Sequence, residues 1–157
     1  MAEINNGLFH YTESGLSNIW LRNGYEVRET PYGEGVVIHD VDGLHRAIGL
    51  FLVSHKDHLT GEEVRFLRKE MDLPQTQLAA LLKVNTDTLR GWENDRSQVP
   101  GPADELLRAY YTEAASEDPS TRIRERLEHI AELNREIHAE ALAFEETESG
   151  WEPAMVA

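Results

Sequence analysis

Apolar and polar positions alternate over the first forty residues and take up a helical period after them. "NIWL" (18–21), "YEVRE" (25–29) and "GVVIHD" (35–40) are short strand-like runs, punctuated by Asn23-Gly24 and by the Pro31/Gly33/Gly35 cluster. Asn23-Gly24 reads as a hairpin turn, since both residues tolerate positive φ. In "DGLHRAIGLFLVSH" (42–55), Leu44, Ile48, Phe51 and Leu52 fall on one helical face. The pattern predicts a small β-containing unit over residues 1–58, which needs a neighbour to pack against.

A series of helices follows. Thr60 stands three residues before Glu63, a capping-box spacing, and Val64, Leu67, Arg68 and Met71 share the inner face of the helix it opens. Pro74 opens the short helix "PQTQLAALL", and Asn85 caps "TDTLRGWEN". Pro100-Gly101-Pro102 breaks the chain before "ADELLRAYYTEA". Asp118-Pro119 then opens a long helix expected to run to about Phe144, and residues 146–157 are expected to be a disordered tail. In that helix Ile123, Leu127, Ile130, Asn134, Ile137, Ala141 and Phe144 follow steps of four and three, a heptad seam. One asparagine in the seam commonly sets register, so residues 116–145 are expected to form a dimerisation helix.

The charge is uneven. Of the formal net −14, residues 1–59 carry −4, residues 60–112 carry −2 and residues 113–157 carry −8. The middle stretch is therefore near neutral, and local placement decides whether phosphates can be contacted. There are no cysteines, which excludes disulfides, thiolate zinc sites and a cysteine nucleophile. No apolar run reaches the ~18 residues of a membrane span. Residues 1–11 lack the basic and apolar regions of a secretory signal, so a cytoplasmic protein is expected.

Leu73, Gln75, Leu78, Ala79, Leu82, Val84, Thr88, Trp92, Glu93 and Pro100 stand in register with a single pattern. On these residues the segment resembles the XRE/Cro-type helix-turn-helix family. Pro74, Lys83 and Asp95 stand where that family usually has a cap and glycines. The resemblance implies a five-helix domain over residues 59–115 whose third helix enters the DNA major groove. It implies base readout by Thr86, Asp87, Arg90 and Gly91, with Arg90 suited to guanine and Asp87 to a cytosine amine. Gln75, Thr76, Gln77, Asn85, Asn94, Arg96, Ser97 and Gln98 would then contact the DNA backbone. Arg68 and Glu93 both face inward, and the family pairs a base with a glutamate at these places. Arg65, Lys69, Lys83 and Arg108 either add positive potential or are ordinary solvated residues.

The order of elements and phrases such as "SGLSNIWL" also resemble the YgiT/MqsA-type antitoxins, although their paired CxxC zinc ligands are missing. That resemblance implies a toxin-binding N-terminal unit ahead of an autoregulating DNA-binding domain. Seven histidines, among them His55-x-x-His58, form no recognisable ligand set, and no nucleophile or phosphate-loop pattern is present. No metal, cofactor or enzymatic activity is expected.

The expected fold is an α-rich α+β protein: a small N-terminal β-containing unit, a helix-turn-helix domain and a long C-terminal helix. The expected function is a sequence-specific, homodimeric repressor on double-stranded operator DNA, with an antitoxin bound to a cognate toxin as its narrower form. The alternative is a protein-interaction adaptor on the same scaffold without DNA readout.

Overall fold

Strands from the two ends of the chain share one sheet. The computed structural model describes residues 4–116 and 141–154, in a mixed α and β architecture. The chain divides into two units: residues 1–48 with 139–157, and residues 49–138.

The first unit is β-rich. Strands β1 (Ile4–Asn5), β2 (Leu8–His10) and β3 (Ile19–Leu21) are joined by tight turns and a 3-10 turn at Thr12–Ser14. Strands β4 (Tyr25–Thr30) and β5 (Gly33–Ile38) follow, and β6 (Leu142–Thr147) and β7 (Gly150–Ala154) come from the far end of the sequence. A five-stranded sheet has the order β1-β2-β3-β6-β7, and β4-β5 forms a separate two-stranded sheet. Within the larger sheet β3 and β6 run parallel, with Ile19 opposite Leu142 and Leu21 opposite Phe144. These four side chains are buried, while Trp20 points the other way and stacks on His10 at 4.1 Å. Alternation in β3 thus gives the sheet one apolar face.

Three expectations are corrected here. Residues 146–154 are not a disordered tail, because β6 and β7 form an antiparallel hairpin closed at Thr147 and Gly150. The long helix does not run to Phe144, which is fully buried in β6 instead of lying in a heptad seam, and Ala141 lies just before that strand. The β unit is therefore not confined to residues 1–58. Ile123, Leu127, Ile130, Asn134 and Ile137 lie outside the described residues.

Asn23-Gly24 is not a hairpin turn either, since β3 and β4 lie in different sheets. Gly24 has φ 76°, and a Cβ there would run into the indole of Trp151. The Asn23 amide spans to β6, accepting from the Glu146 N–H at 2.7 Å. The true hairpin turn is Pro31-Tyr32, where the Thr30 hydroxyl accepts from Tyr32 N–H and donates to the Gly33 carbonyl. Along β4 the Arg28 guanidinium, 2.7 Å from Glu26, holds that carboxyl below the usual carboxylate range.

The division between units falls within helix α1 (Val41–His55), after Ile48. The second unit continues with α2 (Gly61–Glu70), α3 (Gln75–Leu81), α4 (Thr86–Glu93) and α5 (Gly101–Ala115). Its core contains Leu52, Val64, Leu67, Leu78, Leu89 and Leu107, all fully buried. Arg108 is neither solvated nor a source of positive potential. Fully buried, it pairs with Asp104 and donates to the carbonyls of Val53 and Lys56, closing the C-terminal end of α1. No helix among the described residues is long and apolar enough to cross a membrane.

Candidate nucleic-acid interface

The chain must reverse three times within α2 to α4, and it does so without glycine. Asp72, Lys83 and Asp95 take left-handed backbone, with φ of 54°, 61° and 57°. Each stands one place beyond a helix cap, and each ends its helix with a Schellman motif. In α3 the Lys83 N–H bonds to Ala80 and the Val84 N–H to Ala79; in α4 the Asp95 and Arg96 N–H groups bond to Trp92 and Gly91. The pattern recurs after α2 through Asp72 and Leu73, on the carbonyls of Lys69 and Arg68. These turns use non-glycine residues with only two aspartates tolerant of that region.

The N-termini are set by side chains. At α2 the Thr60 hydroxyl accepts from Glu63 N–H while the Glu63 carboxylate accepts from Thr60 N–H at 2.9 Å. The Asp95 carboxylate adds a bond from Gly61 N–H at 2.9 Å, which fastens the end of α4 to the start of α2. Gly61 is required there, because a Cβ would overlap the carbonyl oxygens of Trp92 and Glu93. At α4 the Asn85 side-chain oxygen accepts from Thr88 N–H at 2.7 Å.

Behind α4 lies a buried charge network centred on Glu93. Its side chain is 0% exposed and accepts from Arg68 through two bonds, Nε at 2.8 Å and Nη2 at 3.0 Å. A carboxylate so far from water is stable only with such paired donors. Two further residues join that sequence reading did not place there. Gln75 Nε2 donates to Glu93 at 3.2 Å, and Arg65 Nε lies 3.5 Å away while its Nη2 donates to the Glu93 carbonyl and to Asn94 Oδ1. Arg68 Nη1 also donates to the Leu73 carbonyl, so α2, the α2–α3 turn, α3 and α4 are tied through one group.

The outward face of α4 is polar. Asp87 and Arg90 are exposed and form an ion pair of 2.7 Å, and Thr86 is half-buried. Gly91, also expected in base readout, is buried in α4, and a Cβ built there would meet only the Ser97 hydroxyl, at 3.9 Å. Among the residues expected on the DNA backbone, Thr76 and Gln77 are exposed at the start of α3. Gln75 has its amide nitrogen committed to Glu93, and Asn85 and Asn94 have their side-chain oxygens committed to Thr88 N–H and Arg65. Arg96, Ser97 and Gln98 are exposed and line an open cleft of about 390 Å³ with Trp92 and Val99. The signal for Arg65 was available: it lies three residues before Arg68 on the same helix face.

Among the described residues no group of three or more metal-ligating side chains comes together. His10 stacks on Trp20, His45 accepts or donates at Tyr11 Oη (2.8 Å), and His55 stacks on Phe51. No protein-family model, curated protein or solved structure matches this chain.

Proposed function

We propose that the chain is a sequence-specific DNA-binding transcriptional repressor of the XRE/Cro helix-turn-helix type, with α4 as its recognition helix. One observation carries the reading. The backbone of α4 is capped at both ends and held from behind by the Glu93 network, while its outward face carries the exposed, oriented pair Asp87–Arg90. Reading a base edge needs a side chain delivered in fixed geometry, because a bidentate contact loses its value when donors can wander. Arg90 supplies two parallel donors for the acceptor edge of guanine, and Asp87 either orients that fork or accepts from a neighbouring cytosine amine. Thr76, Gln77, Arg96, Ser97 and Gln98 supply sequence-independent contacts to the phosphates on either side.

The test is a binding titration on DNA from the chain's own upstream region and on a scrambled duplex, at several salt concentrations. Arg90→Ala should cost ~1–3 kcal/mol on the specific site and relax preference at one base pair. Equal loss on both duplexes makes Arg90 a phosphate clamp. Equal binding of both duplexes by the unaltered chain would instead favour the adaptor reading.

The narrower reading, an antitoxin that also holds a protein toxin, draws on charge. Residues 1–48 and 139–157 contain 12 acidic and 3 basic residues, a net −9 in a β-rich unit that has little use for a polyanion. A basic protein is the partner such a unit suits. Co-purification with the product of an adjacent small reading frame tests this part separately.

A further inference from the structure

Lys83 occupies an uncomfortable place. Its φ of 61° puts a long, Cβ-bearing side chain in the left-handed region, at the turn joining α3 to α4. Asp72 and Asp95, in the equivalent turns, are of the short polar type that tolerates this backbone, and Asp95 uses its carboxylate on Gly61 N–H. Among the described residues Lys83 has no such side-chain bond. Strain kept at one point of a domain is a reason to ask what the side chain does there.

The surrounding ion pairs narrow the answer. In the second unit Arg65 and Arg68 sit on Glu93, Arg90 on Asp87 and Arg108 on Asp104. Lys69, Lys83 and Arg96, all exposed, make no ion pair among the described residues, and of these Lys83 and Arg96 flank α4. One stands two places before the N-cap Asn85 and the other two places after the C-cap Asn94. The eight residues of α4 between them span about 12 Å, so the two cations flank opposite ends of the helix.

We infer that Lys83 is a phosphate-contacting residue which, with Arg96 at the opposite end, brackets α4 between the two backbones of the groove. The inference rests on the reading of α4 as a recognition helix and adds a residue whose positive charge outweighs the strain of its backbone. A lysine serves here because an unpaired ammonium at a groove edge displaces a condensed counterion without demanding fixed geometry.

The experiment compares Lys83→Gly and Lys83→Arg in the full chain. Glycine removes the charge and relieves the backbone, so its melting temperature should rise by a few degrees, which rules out misfolding as the cause of any lost binding. Its affinity should fall up to about tenfold for each lost contact near 0.1 M salt, equally on specific and scrambled DNA, and the salt slope should become shallower by about one per contact. Lys83→Arg should keep both affinity and slope. If Lys83→Gly binds as the unaltered chain does, Lys83 serves only the negative C-terminal end of α3 and the inference falls, while the reading of α4 stands. If Lys83→Gly loses affinity on the specific site alone, Lys83 reads sequence and the inference falls likewise. If the unaltered chain binds neither duplex, the reading of α4 fails and takes this inference with it.

Discussion

Glu93 shows how one residue can organise several elements. It is the acceptor for Arg68, Gln75 and Arg65, which come from two other helices, and its own side chain is fully buried. Removing one partner of a buried pair costs ~3–5 kcal/mol, because the remaining charge stays buried. Arg68→Met should therefore lose that much in urea denaturation. Arg65→Met should lose about 1 kcal/mol or less, since its side chain is 39% exposed and water screens the interaction. Equal losses would mean that Arg68 is not the principal counter-ion. Asp95 and Asp72 offer a second comparison, because both hold left-handed backbone but only Asp95 is shown bonding a helix N-terminus. Asp72→Gly should be neutral or stabilise by up to about 1 kcal/mol, as glycine accepts that region freely. Asp95→Gly should destabilise by about 1 kcal/mol through the lost cap on α2. If both variants shift the denaturation midpoint alike, the Asp95–Gly61 bond contributes nothing.

At the scale of elements, the C-terminal hairpin is as much a part of the first unit as the strands before it. Phe144 is fully buried opposite Leu21, and the Trp151 indole fills the space above Gly24 while its Nε1 donates to the His39 carbonyl at 3.0 Å. A strand that contributes a fully buried aromatic to a small unit is structural. Phe144→Ala should cost ~3–5 kcal/mol, measured by amide exchange of residues 9–21. A tail outside the fold would leave that exchange unchanged. The consequence for experiments is practical, since trimming the acidic C-terminus removes two strands along with its charge.

For the whole molecule, the net charge of −14 conceals two different surfaces. The first unit carries −9, and the second carries 17 acidic and 12 basic residues, −5, several of which are neutralised inside buried pairs. Under the proposed function the chain would have few phosphate contacts, and two copies would raise its specific affinity. The sequence spacing of Ile123, Leu127, Ile130, Asn134 and Ile137, which lie outside the described residues, is the basis for expecting that pairing. Truncation before Pro119 would not test it cleanly, because β6 and β7 would go as well. Ile130→Asp is the better variant: it should convert a sedimenting dimer to monomer and leave the exchange protection of residues 9–21 intact. A variant that remains dimeric places the contact elsewhere.

Features set by neighbours in the chain could be read from the residues alone. The capping box at Thr60 and Glu63, the cap at Asn85 and the inward-facing opposite charges Arg68 and Glu93 depend on spacings of three or four, or on which helical face a residue occupies. The candidate interface on α4 was legible for the same reason, since Asp87 and Arg90 stand three apart on the polar side of a short amphipathic helix. Other features needed the folded chain. "LAF" at 142–144 suits a helix or a buried strand equally, and its partner β3 lies more than a hundred residues away, beyond any local signal. The ends of α2, α3 and α4 lacked the glycine that usually announces a left-handed turn, so tertiary packing had to impose one on Asp72, Lys83 and Asp95. The buried place of Arg108 and the bond from Gln75 to Glu93 were not legible, because the direction of a side chain, inward to a charge or outward to solvent, is decided by what stands across from it. Local hydrogen bonding specifies where a helix begins, and only three-dimensional packing decides which strands pair and which polar groups are spent inside.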